Sequence, residues 1–337
     1  MTRSRKYLSA VAVAAGVLIA AGFSGPAASQ DGDGTIGEGL VMYFQMGGNP
    51  GGGATLARTN GARAAAEAFG VDLREQYSAW QPDVMINQFK EAMAGNPDCI
   101  EMMGHPGNDA FWDLAAEARE RGIVLTSGNS QLSDLFNEYR QSGFGFVGMD
   151  NYRSGRLVAG ATIKNAGLKE GDRVMVYGLL SQDERGKLER GALDVYEENN
   201  MTIDYIEISP EVNADPSLAV PILVAYIERT PDVKSIITSH GTVTGFLGKA
   251  LKEAGKQPGE IFGAGYDIVP AAVEAVQEGY VHVLFDQNLF LQGFLPVVQC
   301  VLSSTYAIPG LDIDTGIGLV TPDNIDQLIP EIEAGIR

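Results

Sequence analysis

The sequence predicts an α/β protein with two similar lobes, each a parallel sheet that carries helices on both faces. Short apolar runs alternate with stretches of helical length, such as ARTNGARAAAEAF and VTGFLGKALKEA. Strand and helix in alternation are typical of a parallel sheet covered by helices. Several of the apolar runs contain almost no polar residue, as strands buried on both faces require.

Glycines mark the joints between the predicted helices and strands. Gly70 precedes VDLREQY, Gly122 precedes IVLTSGN, Gly279 precedes YVHVLFDQ, and Gly255 lies shortly before IFGAGYD. Because many helices end at a left-handed glycine, each of these is predicted to end a helix just before a strand. The predicted strands are 39–45, 71–77, 99–104, 123–127, 144–149, 173–180, 203–208, 234–239, 261–266 and 281–286.

The order of these units divides the chain in two. The pattern runs through about four units and resumes after FVGMDNYRSG for about four more. This predicts two lobes with a connection near Asp150. No long Pro- or Ser-rich linker separates them, which favours a tight hinge.

The first residues predict an export signal. Arg3, Arg5 and Lys6 form a basic region, residues 8–23 are mostly apolar, and Ala27-Ala28-Ser29 has the small residues of a cleavage site. The apolar stretch is shorter than the roughly 20 residues of a membrane span. We therefore expect residues 1–29 to be removed near Ser29 and the mature chain to lie in the periplasm.

The net charge bears on possible partners, and the two cysteines bear on a possible disulfide. The formal net charge of −19 becomes about −22 once the signal and its three cations are removed. Such an acidic chain repels phosphate backbones, so no nucleic-acid partner is expected. Cys99 and Cys300 both lie in apolar runs, which favours two buried free thiols and leaves their pairing open.

Polar residues follow the predicted strands, at the edge where open α/β sheets bind ligands. The candidates at these positions are Gln45, His105, Asn129, His240, Asp267, Asp286 and Gln287, with Gln45 and Asp286 secondary. Asn and Asp at strand ends also cap helices, and capping is favoured for Asn108 and Asp109. For Asp267 the next helix starts later, which favours a ligand-facing role.

The motifs exclude several chemistries. GFGFVG matches a dinucleotide-binding pattern but lies within a predicted strand, and GGNPGGGATL lacks the Lys of a phosphate-binding loop. No metal, cofactor or acyl-transfer motif is present, and we expect neither cofactor nor metal. The aromatic residues Trp80, Trp112, Phe111, Tyr43 and Phe44 are expected in the core, with stacking on a sugar ring as the alternative for any of them near a cleft.

Longer strings carry a family resemblance. GNPDCIEMMGHPGNDAFWDLAAEARERGIVL, VGMDNYRSGRLVAG, ERGKLERGALDVYEE and FGAGYDIVPAAVEAVQEGYVHVLFDQNLFLQG are similar, in this order, to type I periplasmic binding proteins of ribose-like sugar importers, over about 39–310. The resemblance implies two Rossmann-like lobes, 35–149 with 288–314 and 150–287 with 315–337, joined by a three-segment hinge. Its implied hinge residues are Asp150, Asn151 and Asn288.

The same resemblance implies a set of ligand-binding residues. Asp267 matches the hydroxyl-binding Asp in GYD, and Arg190 of LERG matches the guanidinium. The remaining positions fall on His105, Asn129, His240 and Gln287. The sequence departs from the family at the Gly-rich segment after the first strand, where aromatics usually stand, and at Gly128, where an Asp is usual.

These observations predict a periplasmic receptor that binds a small sugar or polyol between its lobes. Carboxylate, amide, guanidinium and imidazole groups beside aromatics suit vicinal hydroxyls. The resemblance implies an ABC permease as partner, leaves a chemoreceptor open, and requires no catalysis. Two alternatives remain: a carbohydrate-active enzyme using Asp267 and Asp286, and a receptor for a furanosyl signalling molecule. A repressor core is disfavoured by the export signal.

Overall fold

The computed structural model describes residues 34–316 and 318–337, so the predicted export signal lies outside the described residues. It confirms the α/β class. The strands are β1 (Val41–Gly47), β2 (Asp72–Tyr77), β3 (Cys99–Met103), β4 (Val124–Asn129), β5 (Gly145–Gly148), β6 (Arg173–Gly178), β7 (Thr202–Glu207), β8 (Val233–Thr238), β9 (Phe262–Tyr266), β10 (Val281–Asp286), β11 (Asp312–Asp314) and β12 (Gly318–Val320). The helices are α1 (Gly53–Phe69), α2 (Pro82–Ala94), α3 (Asn108–Glu120), α4 (Ser133–Tyr139), α5 (Asn151–Ala166), α6 (Lys187–Glu198), α7 (Pro210–Ala214), α8 (Ala219–Arg229), α9 (Gly241–Glu253), α10 (Pro270–Gln277), α11 (Leu289–Tyr306) and α12 (Ile329–Glu333).

The strands form two sheets of six. The first has the order β11-β5-β4-β3-β1-β2 and the second the order β12-β10-β9-β8-β6-β7. All neighbours are parallel except β10 and β12. The ten predicted strands are all present, and all four glycines predicted to end helices have a positive φ, between 72° and 78°.

The chain passes between the two sheets three times. It does so between β5 and α5, between β10 and α11, and between β11 and β12. Helix α5 packs on α6, whereas α11 packs on α1 and β4. Each sheet therefore takes elements from distant parts of the sequence.

Helix α11 combines a mean hydropathy of 1.3 with 18 residues, which is enough by length and composition to cross a membrane. Half of it is buried within the protein. Gly293 on α11 lies so close to the Arg58 carbonyl of α1 that any side chain there would overlap it. These contacts are those of a core helix.

Helix α11 also carries a disulfide partner. Cys99 at the start of β3 and Cys300 on α11 are joined, with their Cα atoms 5.8 Å apart. The expectation of two free thiols is wrong. Taken one at a time, each cysteine lies in an apolar run and resembles a buried thiol; only the return of α11 to the first sheet brings the two together.

Candidate ligand-binding site

A cavity of about 50 Å³ lies between the two sheets, where the carboxyl ends of several strands face each other. Five of the sequence-predicted residues line it, all within a residue or two of a strand end: His105, Asn129, His240, Asp267 and Gln287. Trp80, Arg185, Glu189 and Tyr266 complete much of its wall.

A chain of hydrogen bonds runs through four of these side chains. Asn129 Nδ2 donates to Gln287 Oε1 at 2.9 Å, so Asn129 presents its oxygen to His105 Nε2, 2.8 Å away. Gln287 Nε2 in turn donates to Asp267 Oδ1. His105 Nε2 is therefore the donor and Nδ1 the acceptor. Across residues 34–316 and 318–337, buried His105 Nδ1 has no protein partner.

Both cavity histidines are neutral. Burial, together with the nearby Arg185 charge, lowers the pKa of His240 to about 3. Burial also holds the pKa of His105 well below its ordinary value. His240 Nδ1 lies 2.8 Å from the Thr242 hydroxyl, while its Nε2 is buried and has no partner among the described residues. Each imidazole thus offers one nitrogen to a ligand.

Asp267 is the central acid of the cavity. It follows β9 in the left-handed region, at φ 65°, a conformation that Asp tolerates better than most residues. Its carboxylate lies against Gly241, the first residue of α9, where a helix amino terminus favours negative charge. Burial raises the pKa of Asp267 to about 6, while the Gln287 hydrogen bond opposes that rise.

The guanidinium of the cavity belongs to Arg185, which corrects the expectation for Arg190. Arg185 lines the cavity, and burial lowers its pKa to about 10. Arg190 is exposed on α6. Glu189 takes the inward position of the helix, and the next residue is rotated by about 100° from it. The segment ERGKLERG contains two Arg-Gly pairs, and sequence reasoning chose the second.

Glu189 itself was missed by sequence reasoning. It is 1% exposed, and its Oε1 accepts hydrogen bonds from the Leu179 amide and the Ser239 hydroxyl. Within the described part of the chain, buried Glu189 Oε2 is without a partner, as is the Tyr266 hydroxyl. Burial raises the pKa of Glu189. The helical phase of Glu189 on α6 was the only sequence signal for it.

Trp80 provides the aromatic wall, and it comes from the segment after β2. Its ring stacks on His105 with centroids 5.7 Å apart and meets His240 edge-on at 6.4 Å. A Cβ at Gly48 would lie 2.7 Å from Trp80 Nε1, and one at Gly47 would overlap the ring. The Gly-rich segment that begins at the end of β1 thus makes room for an aromatic from the segment after the neighbouring strand, β2.

Two secondary candidates lie outside the cavity. Gln45 is fully buried between β1, α2 and β3, where its amide binds the Met85 carbonyl and the Met103 amide. Asp286 accepts a hydrogen bond from the Asn288 amide and pairs with Arg337 at 3.0 Å. The expectation that Gln45 and Asp286 bind ligand is therefore corrected, because the side chain of each is held by structural partners outside the cavity.

The position usually held by an Asp is glycine here for a steric reason. A side chain at Gly128 would overlap the carboxylate of Glu101 and the guanidinium of Arg58. These two form a fully buried ion pair next to Gly128. Burial raises the pKa of Glu101 and lowers that of Arg58, and the partner's charge opposes both shifts. The pair fills the space that a ligand-binding Asp would need.

The predicted hinge residues lie at two of the three passages between sheets. Asp150 caps α5 by accepting a hydrogen bond from the Arg153 amide. Asn151 is buried, lines the cavity and donates to the Glu184 carbonyl at 3.0 Å. Asn288 begins α11 in the left-handed conformation, at φ 51°.

Comparisons with known proteins agree with this architecture. The chain is 27% identical over 256 residues to the xylose/arabinose-binding protein XylF of Sulfolobus acidocaldarius, covering 73% of this chain and 62% of that relative. The chain therefore matches less than two thirds of the relative's length.

Solved structures share the fold. A galactofuranose-binding protein matches with a TM-score of 0.75 and 18% identity, over 88% of this chain and 100% of that chain. A solute-binding protein of an ABC transporter from Agrobacterium vitis, solved with bound D-fucose, matches with a TM-score of 0.75 and 22% identity, over 87% and 98% of the two chains.

The family is shown by a domain model that covers most of the chain. The model described as a periplasmic binding protein domain matches residues 56–301, which include most strands of both sheets and every cavity-lining residue named above. The resemblance found in the sequence is thereby confirmed: the chain belongs to the periplasmic binding protein domain family.

Proposed function

We propose that this protein is the solute-binding receptor of an ABC importer and holds one neutral sugar unit or polyol in its cavity. The observation that carries the proposal is a set of buried polar atoms facing one small space. His105 Nδ1, His240 Nε2, Glu189 Oε2 and the Tyr266 hydroxyl have no hydrogen-bond partner among the described residues. Leaving such a group unpaired costs about 1–3 kcal/mol, and ligand hydroxyls would satisfy them.

The size of the cavity supports a single ring. A volume of about 50 Å³ corresponds to roughly three to five waters when about 10–15 Å³ is needed for each. Trp80 supplies a flat apolar face, and the polar atoms lie around it. The relatives named above bind xylose or arabinose, galactofuranose and D-fucose, which are all single sugar units.

The charges of the cavity favour a neutral ligand. Arg185 brings one positive charge, and Asp267 and Glu189 are two carboxyl groups. An anionic sugar acid would meet two carboxyl groups in a space of low dielectric, where repulsion is strong. Ligand hydroxyls can donate to the carboxylates and accept from Arg185.

Binding by closure follows from the three passages between the sheets. We assign the lobes as 35–149 with 288–314 and 150–287 with 315–337. The cavity takes residues from both lobes, so a ligand stabilises the closed form through contacts that the open form cannot make. The closed form is what the permease would recognise, and a chemoreceptor would read the same form. Export by residues 1–29 would place the receptor in the periplasm.

An enzyme is a weaker candidate. A glycosidase needs two carboxyl groups flanking one bond. Asp286 is engaged by Arg337 and the Asn288 amide and does not line the cavity. Asp267 and Asp286 therefore do not form a pair of carboxyl groups in the cavity. The alternative of a receptor for a furanosyl signalling molecule differs from this proposal only in the ligand, so furanoses are included among the sugars to be tested.

Tryptophan fluorescence offers a test that reports on the cavity itself. The chain has two tryptophans, Trp80 in the cavity and Trp112, which is 40% exposed on α3. Trp112→Phe leaves Trp80 as the sole tryptophan. We expect a pentose, hexose, deoxyhexose or inositol to change its emission and to raise the melting temperature. A sugar that raises the melting temperature without changing Trp80 emission would place the site elsewhere.

A further inference from the structure

A second cleft lies directly outside the cavity. Its volume is about 490 Å³, and it shares Trp80 and Leu179 with the cavity as common wall. One side consists of the segment from Trp80 to Asp83 at the start of α2. The other consists of residues at and after the ends of β6 and β7, including Gln182, Glu207 and Asn213. The cleft therefore opens between the same two sheets as the cavity.

One side chain in this cleft lacks a partner. Asn213 is 9% exposed, and its Oδ1 has no hydrogen-bond partner in the part of the chain that the structure describes. An unpaired buried amide is disfavoured in a folded protein. Asn213 occupies the first turn after Ser209, whose hydroxyl already caps the Val212 amide, so the amide of Asn213 is not needed for capping.

We propose that the cleft is an outer subsite, which accepts a second neutral sugar unit linked to the one held in the cavity. This inference rests on the proposed function. Trp80 would contact both units, the inner one within the cavity and the outer one on the side of Gln81. Asn213 provides the amide for a hydroxyl of the outer unit.

The lining of the outer subsite sets the chemistry of that unit. Among the described residues that line it, none is Lys, Arg or His, while Asp83 and Glu207 are acidic. Glu207 already accepts hydrogen bonds from the Ser181 hydroxyl and the Tyr205 hydroxyl. A phosphate or uronate would be repelled here, whereas the hydroxyls of a neutral sugar find acceptors and amides.

The backbone has an uncommon conformation at Trp80, where the cavity and the outer subsite meet. Ala79 and Trp80 are consecutive non-glycine residues with positive φ, 49° and 61°. Such residues are uncommon and cluster at binding sites. This conformation turns the Trp80 ring into the space between the cavity and the outer subsite, over Gly47 and Gly48.

The test compares single sugars with their two-unit counterparts. Titration calorimetry is run with D-xylose, L-arabinose, D-galactose and D-fucose, and with xylobiose, arabinobiose and galactobiose, on the full mature chain. Asn213→Leu removes the outer amide, and Asn165→Leu is the matched control on an exposed face of α5. Melting temperatures of both variants verify folding.

We expect at least one disaccharide to bind at least as tightly as its single unit. Asn213→Leu should weaken that disaccharide about threefold to tenfold, as loss of one neutral hydrogen bond implies, and leave the single sugar unchanged. Asn165→Leu should change neither. Because Asn213 Oδ1 has no partner within the described residues, its replacement should not lower the melting temperature.

Other outcomes overturn the proposal in distinguishable ways. If single sugars bind and every disaccharide is at least tenfold weaker, the outer subsite is refuted and the receptor function stands. The same holds if Asn213→Leu weakens a sugar and its disaccharide equally, or affects neither. If no sugar of either size binds, the proposed function and the outer subsite both fail.

Discussion

Replacing Asp267 with Asn should make the protein more stable and a poorer binder at the same time. The substitution keeps the shape of the side chain, and Asn tolerates the left-handed backbone at φ 65°. Its oxygen can still accept from Gln287 Nε2. The change removes one buried negative charge from the cavity wall and leaves the surrounding contacts in place.

The pKa of Asp267 gives the size of the stability effect. Burial raises that pKa from 3.8 to about 6. A folded-state pKa above the unfolded value means that ionisation opposes folding; the penalty is present above about pH 6 and disappears as the pH falls below 3.8. At neutral pH the rise corresponds to about 3 kcal/mol. Asp267→Asn should therefore raise the free energy of unfolding by up to about 3 kcal/mol at pH 7.5.

Binding should change in the opposite direction. A hydrogen bond to a charged group contributes about 1.5–3 kcal/mol, so its loss weakens the sugar complex about tenfold to a hundredfold. In the unsubstituted protein the affinity for sugar should also fall about tenfold between pH 8 and pH 5, because the Asp267 carboxylate of the unliganded protein is mostly protonated at pH 5. His240, with a pKa of about 3, stays neutral throughout this range. Asp267→Asn should lose most of that pH dependence.

Chemical denaturation without ligand and calorimetric titration at several pH values measure the two effects. The reasoning is refuted if Asp267→Asn is less stable than the parent at pH 7.5, or if it binds sugar with undiminished affinity.

Three further perturbations have defined outcomes. The double substitution Cys99→Ala and Cys300→Ala should lower the free energy of unfolding by about 4–5 kcal/mol in denaturant titrations, because the disulfide closes a loop of 201 residues. An unchanged denaturation midpoint would contradict a structural role for the disulfide. Glu184→Ala removes the carboxylate that accepts a hydrogen bond from Asn108 Nδ2 across the cleft at 3.3 Å. Stopped-flow measurements should then show the sugar dissociating about threefold to tenfold faster. An unchanged dissociation rate would mean that this hydrogen bond does not stabilise the closed form. Gly48→Ala should displace Trp80 and weaken sugar binding about tenfold, with altered Trp80 emission; normal affinity would remove Trp80 from the site.

Much of the fold was predictable because its signals are local. Most of the ten predicted strands are apolar runs, β2 and β7 being the exceptions, and glycines end several of the helices before them. By contrast, β11 (Asp312–Asp314) and β12 (Gly318–Val320) were missed. Each has three residues, too few to show a periodicity, and each depends on pairing with a strand that lies far away in sequence or across the third passage.

The site was predictable where it depends on strand ends. Parallel strands bring their carboxyl ends to one edge, so His105 and Asp267 could be placed at a common cleft from their positions alone. Arg185 and Trp80 could not, since both lie in connecting segments whose direction depends on packing. The wall position of Trp80 follows from the absence of side chains at Gly47 and Gly48, a relation between two strands that no local pattern contains.

Calorimetric titration of the mature protein with single sugars and inositols tests the central claim most directly. The account predicts that at least one neutral sugar or polyol binds with a stoichiometry of one and a dissociation constant of about a micromolar or below, as three or four hydrogen bonds and ring burial imply. A panel of pentoses, hexoses, furanosides, deoxyhexoses and inositols that produces no saturable heat would contradict it.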